Sequence, residues 1–182
     1  MLKFDKRLFQ RVRVPLGFLF AIVFLLFARP TITTIVVGSA IAFIGVGIRA
    51  WASGHIRKAK VLAIGGPYAY TRNPLYVGSM IIGVGFTVAA GVWWLALLFC
   101  LLFIGIYLPV MRVEVNDMRR IFGAKFDEYE RNVPLLIPRL TAWGNSGEKF
   151  DFQLYLQYRE YRAAIGAAMV ITILLVKLFF LT

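Results

Sequence analysis

Two short stretches of this 182-residue chain hold the residue types that chemistry needs. The first runs Gly65-Gly66-Pro67-Tyr68-Ala69-Tyr70-Thr71-Arg72-Asn73-Pro74-Leu75-Tyr76-Val77-Gly78. Two glycines and two prolines set a tight path. Asn73-Pro74 reads as a turn feeding a helix with proline in its first turn. The free N–H groups of such a helix start can hold an anionic group such as a carboxylate. The same residues also read as an interfacial loop anchored by Tyr68, Tyr70 and Tyr76. The second stretch is Arg112-Val113-Glu114-Val115-Asn116-Asp117. Glu114 stands close to the end of an apolar run, where an acid is costly unless partnered. It is either paired, with Arg112 or Arg72, or it binds a ligand. Beyond it, Val115, Met118, Phe122, Phe126, Tyr129 and Val133 recur at spacings of three and four, an apolar helical stripe expected to rest on the bilayer or the bundle. Gly123 interrupts the stripe and marks a bend.

The elements that must position these residues are apolar helices. Hydrophobic residues make up 60% of the chain and charged residues 16%, against about 25% charged in an ordinary soluble domain. The mean hydropathy is +0.74. A membrane crossing takes about 20 apolar residues. Five runs approach that length, over residues 13–28, 31–53, 74–90, 92–113 and 161–181. The expected fold is therefore all-α, a polytopic bundle of about five transmembrane helices in one membrane domain. Segments 54–73 and 114–160 lie outside the spans. Gly45-x-Gly47 and Gly83-x-Gly85 read as close helix packing rather than a nucleotide loop, since neither follows a strand. The basic N-terminal segment precedes an apolar run but no small-x-small cleavage site, so this run reads as a retained first span.

The net charge of +12 is explained by topology rather than by nucleic acid. With odd-numbered spans running outward, 19 Lys and Arg residues fall on one side, and only Arg29 and Lys177 on the other. The positive-inside rule places the basic side, the N-terminus and any active site in the cytosol, in a bacterial or archaeal plasma membrane. Arg49, near the end of the second span, is expected to snorkel to the headgroups. The outer connections are too short to build a site. Cys100 has no partner for an intrachain disulfide, and with His55 the lone histidine no metal site is expected. His55 reads as interfacial charge, and Glu148 to Arg162 as a solvated linker helix leading into the last span.

Taken together and in order, Gly66-Pro67-Tyr68, Arg72-Asn73-Pro74-Leu75-Tyr76-Val77-Gly78, Glu114, Phe122-Gly123, Tyr129 and Val133-Pro134 resemble the isoprenylcysteine carboxyl methyltransferase and phospholipid methyltransferase superfamily, over roughly residues 50–138. The resemblance implies methyl transfer from S-adenosylmethionine to a lipid-like acceptor, a prenylcysteine carboxylate or a phospholipid amine, at the inner face of the membrane. It implies cofactor contacts at Lys58, Lys60, Val61, Leu62, Ala63, Tyr68, Asn73, Pro74, Leu75, Tyr76 and Glu114. Glu114 and Arg72 would be the catalytic pair and Arg112 a substrate contact. Three positions depart from the family pattern. Asn73 replaces a histidine, Val115 replaces a second glutamate, and Val110 replaces the arginine that meets a prenylcysteine carboxylate. Two other function classes stay open at this level. One is an NADPH-dependent membrane sterol-type reductase, with Lys58 and Lys60 on the 2′-phosphate. The other is a non-enzymatic transporter or assembly protein, against which stands the absence of any charge near the middle of a span.

Overall fold

The computed structural model describes residues 6–56, 61–144 and 147–180, with side chains from Pro15 onward. The described residues are helical, without strands. The helices are α1 (Lys6–Phe27), α2 (Ile32–Ser53), α3 (Pro74–Ala89), α4 (Trp93–Phe122), α5 (Ala124–Asn132), α6 (Phe152–Gln157) and α7 (Tyr161–Phe180), with a short 3-10 turn at Gly66–Ala69 before α3. Helices α2, α4 and α7 are long and apolar enough to cross a membrane. The apolar part of α1 (Pro15–Phe27) and the whole of α3 are shorter. Helix α4 has 30 residues, about 45 Å at 1.5 Å per residue. That exceeds a hydrocarbon core of about 30 Å, so its last turns project beyond the apolar layer and carry Glu114 with them.

The hairpin of α2 and α3 is the tightest part of the bundle. A Cβ on Gly45 would lie 2.6 Å from the Gly78 carbonyl oxygen, and one on Gly85 would lie 2.6 Å from that of Gly38. The two backbones touch where only glycine leaves room, the usual device for bringing helices together without a hydrophobic drive. Gly83 instead faces the Phe99 ring, and Gly47 faces open space. Phe24 of α1 and Ala28 just after it, Ile35 of α2, Ala89 at the end of α3 and Ala90 after it, Leu95 of α4 and Leu174 of α7 form one buried cluster at the opposite end from Glu114. There the two short connections are tied together: Arg29 N–H donates to the Ala90 carbonyl at 2.8 Å. Lys177 of α7 donates to the Leu25 and Leu26 carbonyls at the end of α1, satisfying helix-end acceptors that otherwise lack partners.

Arg49 does not snorkel. Its guanidinium makes a bidentate pair with Glu160 at 2.8–3.0 Å and donates to Ser79 Oγ and the Leu75 carbonyl. A carboxylate and two further acceptors within reach outcompete a stretch to the surface, and they lock the start of α7 onto α2 and α3. The 148–162 segment is correspondingly more than a solvated linker. Asp151 caps α6, its N–H donates to the Gly54 carbonyl, and Phe150 covers Gly54 and the His55 ring. His55 is buried rather than interfacial, 7% exposed, with its ring against Gly66 and Nδ1 2.9 Å from the Trp51 carbonyl oxygen.

Gly45→Leu is expected to lower stability by roughly 1–3 kcal/mol through overpacking, since the opposing atom is backbone. Gly47→Leu, into open space, should leave it intact. Thermal unfolding of the detergent-solubilised variants checks the contrast; equal melting points would refute the close-contact account.

Candidate functional site

The site is built from a turn with few internal hydrogen bonds. Between Gly65 and Asn73 the chain makes one 3-10 turn, with Gly66 at φ +55° and Pro67 in its first positions. The Tyr68, Tyr70 and Thr71 N–H groups pair locally, but the Arg72 N–H and the carbonyls of Tyr68, Ala69 and Tyr70 do not, and buried peptide groups need partners. The segment after α5 supplies them. Arg72 N–H donates to the Pro134 carbonyl, Arg139 N–H to that of Tyr70, and Trp143 N–H to that of Ala69, all at 2.9–3.0 Å. Thr71 Oγ1 donates to the Leu135 and Leu136 carbonyls, and Asn73 Nδ2 to Leu135 at 3.0 Å. Tyr129, at 2% exposure, donates its hydroxyl to the Tyr68 carbonyl at 2.7 Å. Residues 134–143 thus form a strap across the 66–73 turn.

Gly123 makes the strap reachable. At φ +54°, ψ −132° it ends α4 and turns α5 back, as its place in the stripe predicts. The stripe closes within the protein, on the loop before α3 as well as on its own segment, rather than on the bilayer. Phe126, Tyr129 and Val133 are buried together, with Val115, Met118, Phe122, Leu62, Ile64 and Trp143 packed around them. Charge reinforces the fold-back: Arg72 donates to Glu130 at 2.6 Å, and Arg119 bridges Asp127 and Glu130.

At the mouth of this assembly Tyr76, on the first turn of α3, donates its hydroxyl to Glu114 Oε1 at 3.1 Å. Tyr107, two helical turns before Glu114 on α4, lies against the Tyr76 ring with centroids 5.3 Å apart. Glu114 and Tyr76 are half-buried, Val110 and Met111 fully buried, and Arg112 exposed. Residues two apart on a helix face different ways, and Arg112 turns away accordingly. Arg72 is engaged by Glu130 on the strap side, so the structure partners Glu114 with Tyr76 rather than with either arginine proposed from the sequence.

The other predicted contacts divide. Asn73 holds the strap through its amide, and its carbonyl receives the Tyr76 and Val77 N–H groups at 3.0 and 3.1 Å. Pro74 is buried at the first position of α3, so the helix start offers an outside ligand chiefly the Leu75 N–H. Leu62 packs into the Tyr129 cluster; Ala63 is half-buried and Val61 exposed. Lys58 and Lys60 lie outside the described residues. Tyr68 is 6% exposed. Its hydroxyl is buried with no hydrogen-bond partner among the described residues, as is Arg72 Nε. Burial, then the nearby Tyr129, Glu160 and Tyr158, pushes the Tyr68 hydroxyl far above the ordinary phenol range. Burial does the same for Tyr129, partly opposed by Arg72.

Sequence reasoning missed Glu130, Glu160 and the strap. Their one local signal is position: Glu130 follows the stripe tyrosine directly, and Glu160 precedes the last apolar run. What each pairs with is set by residues 58 and 111 positions away.

The Tyr76–Glu114 pair, half-buried beside a helix start and an aromatic wall, suits a cationic amino-acid ligand with hydroxyls. A carboxylate accepts from an ammonium or a ribose hydroxyl, and a neighbouring phenol keeps it oriented. The family model for phospholipid methyltransferases matches residues 24–125, more than half of the chain. Neither the curated proteins nor the solved structures contain a match to this chain.

Tyr129→Phe leaves the buried Tyr68 carbonyl without its donor and should cost about 1–3 kcal/mol near neutral pH. Tyr68 and Tyr129 also predict alkaline destabilisation. Unfolded phenols ionise near pH 10, whereas these two keep their protons when folded. Above about pH 10 the native state therefore binds more protons, and stability falls as pH rises. Tyr129→Phe should make that fall shallower, and urea unfolding from pH 8 to 11 reads both effects. An unchanged slope would mean that Tyr129 ionises as readily folded as unfolded.

Proposed function

Because the chain belongs to the phospholipid methyltransferase family, an integral membrane methyltransferase family, we propose that it transfers a methyl group from S-adenosylmethionine to a lipid amine at the cytosolic face of a five-span membrane bundle. The observation that carries this reading is the Tyr76–Glu114 pair, which joins the first turn of α3 to the projecting end of α4 inside the matched stretch. The basic turn and strap lie at this same end, as the charge count expects for the cytosol.

S-adenosylmethionine supplies a methyl group already activated by its sulfonium, so the protein mainly has to bind, orient and exclude water. Glu114, held by Tyr76, would accept hydrogen bonds from the cofactor's ammonium or ribose hydroxyls. The helix start at Pro74 and Leu75, and the apolar residues Leu62 and Ala63, would form the rest of its cradle, with Lys58 and Lys60 completing it from the adjoining loop. Tyr68 and Asn73 act through the turn, Tyr68 by filling its interior and Asn73 by tying it to the strap. Arg72 holds the turn through Glu130 and so positions this cradle. Arg112, exposed and turned away from Glu114, would attract anionic headgroups to this end of the bundle rather than contact the acceptor in the cradle. The acceptor amine must shed a proton before it attacks, and Glu114 is the carboxylate at hand to take it.

A phospholipid amine fits better than a prenylcysteine carboxylate. The position one helical turn before Glu114 is Val110, which is buried and offers no cation to a carboxylate.

Calorimetry with S-adenosylhomocysteine and NADPH on the detergent-solubilised protein tests the cofactor class. Binding of the first and none of the second is expected. Glu114→Ala should weaken S-adenosylhomocysteine roughly tenfold to a hundredfold, the worth of a hydrogen bond to a charged group, and Tyr76→Phe by less. NADPH binding alone would move the protein to the reductases, and unchanged affinity in Glu114→Ala would remove that residue from the site.

A further inference from the structure

A groove runs between α1 and α4 on the side of the bundle where those helices meet. Leu16, Gly17 and Phe20 form one wall, and Phe99, Phe103 and Tyr107 the other. It is a small, partly open cleft of about 120 Å³ with almost wholly apolar walls. Its rings form a continuous ladder. Phe20 meets Phe99 at 5.9 Å, Phe99 meets Phe103 at 5.6 Å, Phe103 stacks on Tyr107 at 4.6 Å, and Tyr107 meets Tyr76 at 5.3 Å. Tyr76 then donates to Glu114. Along α4, Phe103, Tyr107 and Glu114 lie four and seven residues apart, on one face. Tyr107 therefore stands about 10 Å from the level of Glu114. The groove is thus apolar over the stretch facing the middle of the membrane and ends in hydroxyls beside the candidate site.

From this continuity we propose that the groove holds one acyl chain of the phospholipid acceptor, and that Gly17 keeps it open. The inference rests on the reading of a lipid amine as acceptor. A hydrocarbon chain is the occupant because aromatic and aliphatic side chains line the groove, and because a chain hanging from a headgroup at Glu114 would follow the ladder into the bilayer. A Cβ on Gly17 meets nothing within 4 Å, so the space beside it is empty of protein. Leu16, Gly17 and Phe20 also precede the stretch that matches the family, which begins at residue 24. This wall of the groove, and the chain selectivity that comes from it, are therefore contributed by residues beyond the matched part. Gly17 is a specificity-determining position, remote from the reacting atoms.

The test uses the whole protein reconstituted in vesicles of phosphatidylethanolamine and phosphatidylglycerol. The probe is phosphatidylethanolamine with a diazirine in one acyl chain, and labelled peptides are mapped by mass spectrometry. Labelling is expected within residues 16–20 and 99–107. Gly17→Leu, whose Cβ meets no atom within 4 Å and whose longer side chain takes up space in the groove, should reduce it roughly tenfold by displacing about two methylenes. Gly166→Leu on α7, equally unobstructed, should not change it. Labelling spread over the exposed faces of α2 and α7, or undiminished in Gly17→Leu, would overturn the proposal. S-adenosylhomocysteine binding, measured on the same samples, separates the two readings. Retained binding with no groove labelling overturns the groove alone. Groove labelling without cofactor binding supports the groove and counts against the proposed activity.

Discussion

The candidate site depends on where the peptide groups of the 66–73 turn find their partners. This turn has one 3-10 element and one proline, Pro67, and its own backbone hydrogen bonds satisfy only part of its peptide groups. A buried peptide group without a partner costs more than any single contact here returns. The strap at 134–143 and the Tyr129 hydroxyl remove that cost. In doing so they fix the direction in which α3 begins. Tyr76 sits on that first turn, and its reach to Glu114 follows from it.

The strap depends in turn on the fold-back at Gly123. The apolar stripe continues past this residue, but the helix axis does not. A residue at φ +54° is costly unless it is glycine. With the axis turned, Phe126, Tyr129 and Val133 bury against Leu62 and Ile64, and Glu130 comes within reach of Arg72 and Arg119. Hydrophobic burial drives the closure, and the partly buried ion pairs select its register.

In the membrane part, the close backbone contact of α2 and α3 plays the matching role. Lipid supplies no hydrophobic drive between helices, so glycine contacts and polar ties hold the bundle instead. The Arg49–Glu160 pair binds α7 at the site end, and Lys177 binds it at the other. Helix α1 is held near its C-terminal end, at Phe24 and Ala28. The cleft between α1 and α4 lies around Gly17, where an added Cβ would meet nothing within 4 Å.

The sequence by itself determined the apolar helices, the proline start of α3, the continuation of α4 beyond the apolar layer and the bend at Gly123. Each is a local property, carried by hydropathy, by spacing or by one residue's backbone freedom. The lipid-methylating family was legible for the same reason: its motif is a set of residues at fixed short spacings. Only the tertiary structure decided that Glu114 pairs with Tyr76, that Arg72 belongs to Glu130 and Arg49 to Glu160, that His55 is buried, and that the stripe closes on Leu62 and Ile64 of the preceding loop. Those outcomes turn on distances between residues tens of positions apart. No periodicity encodes such distances, because a charged side chain takes the nearest well-placed partner that the finished packing offers.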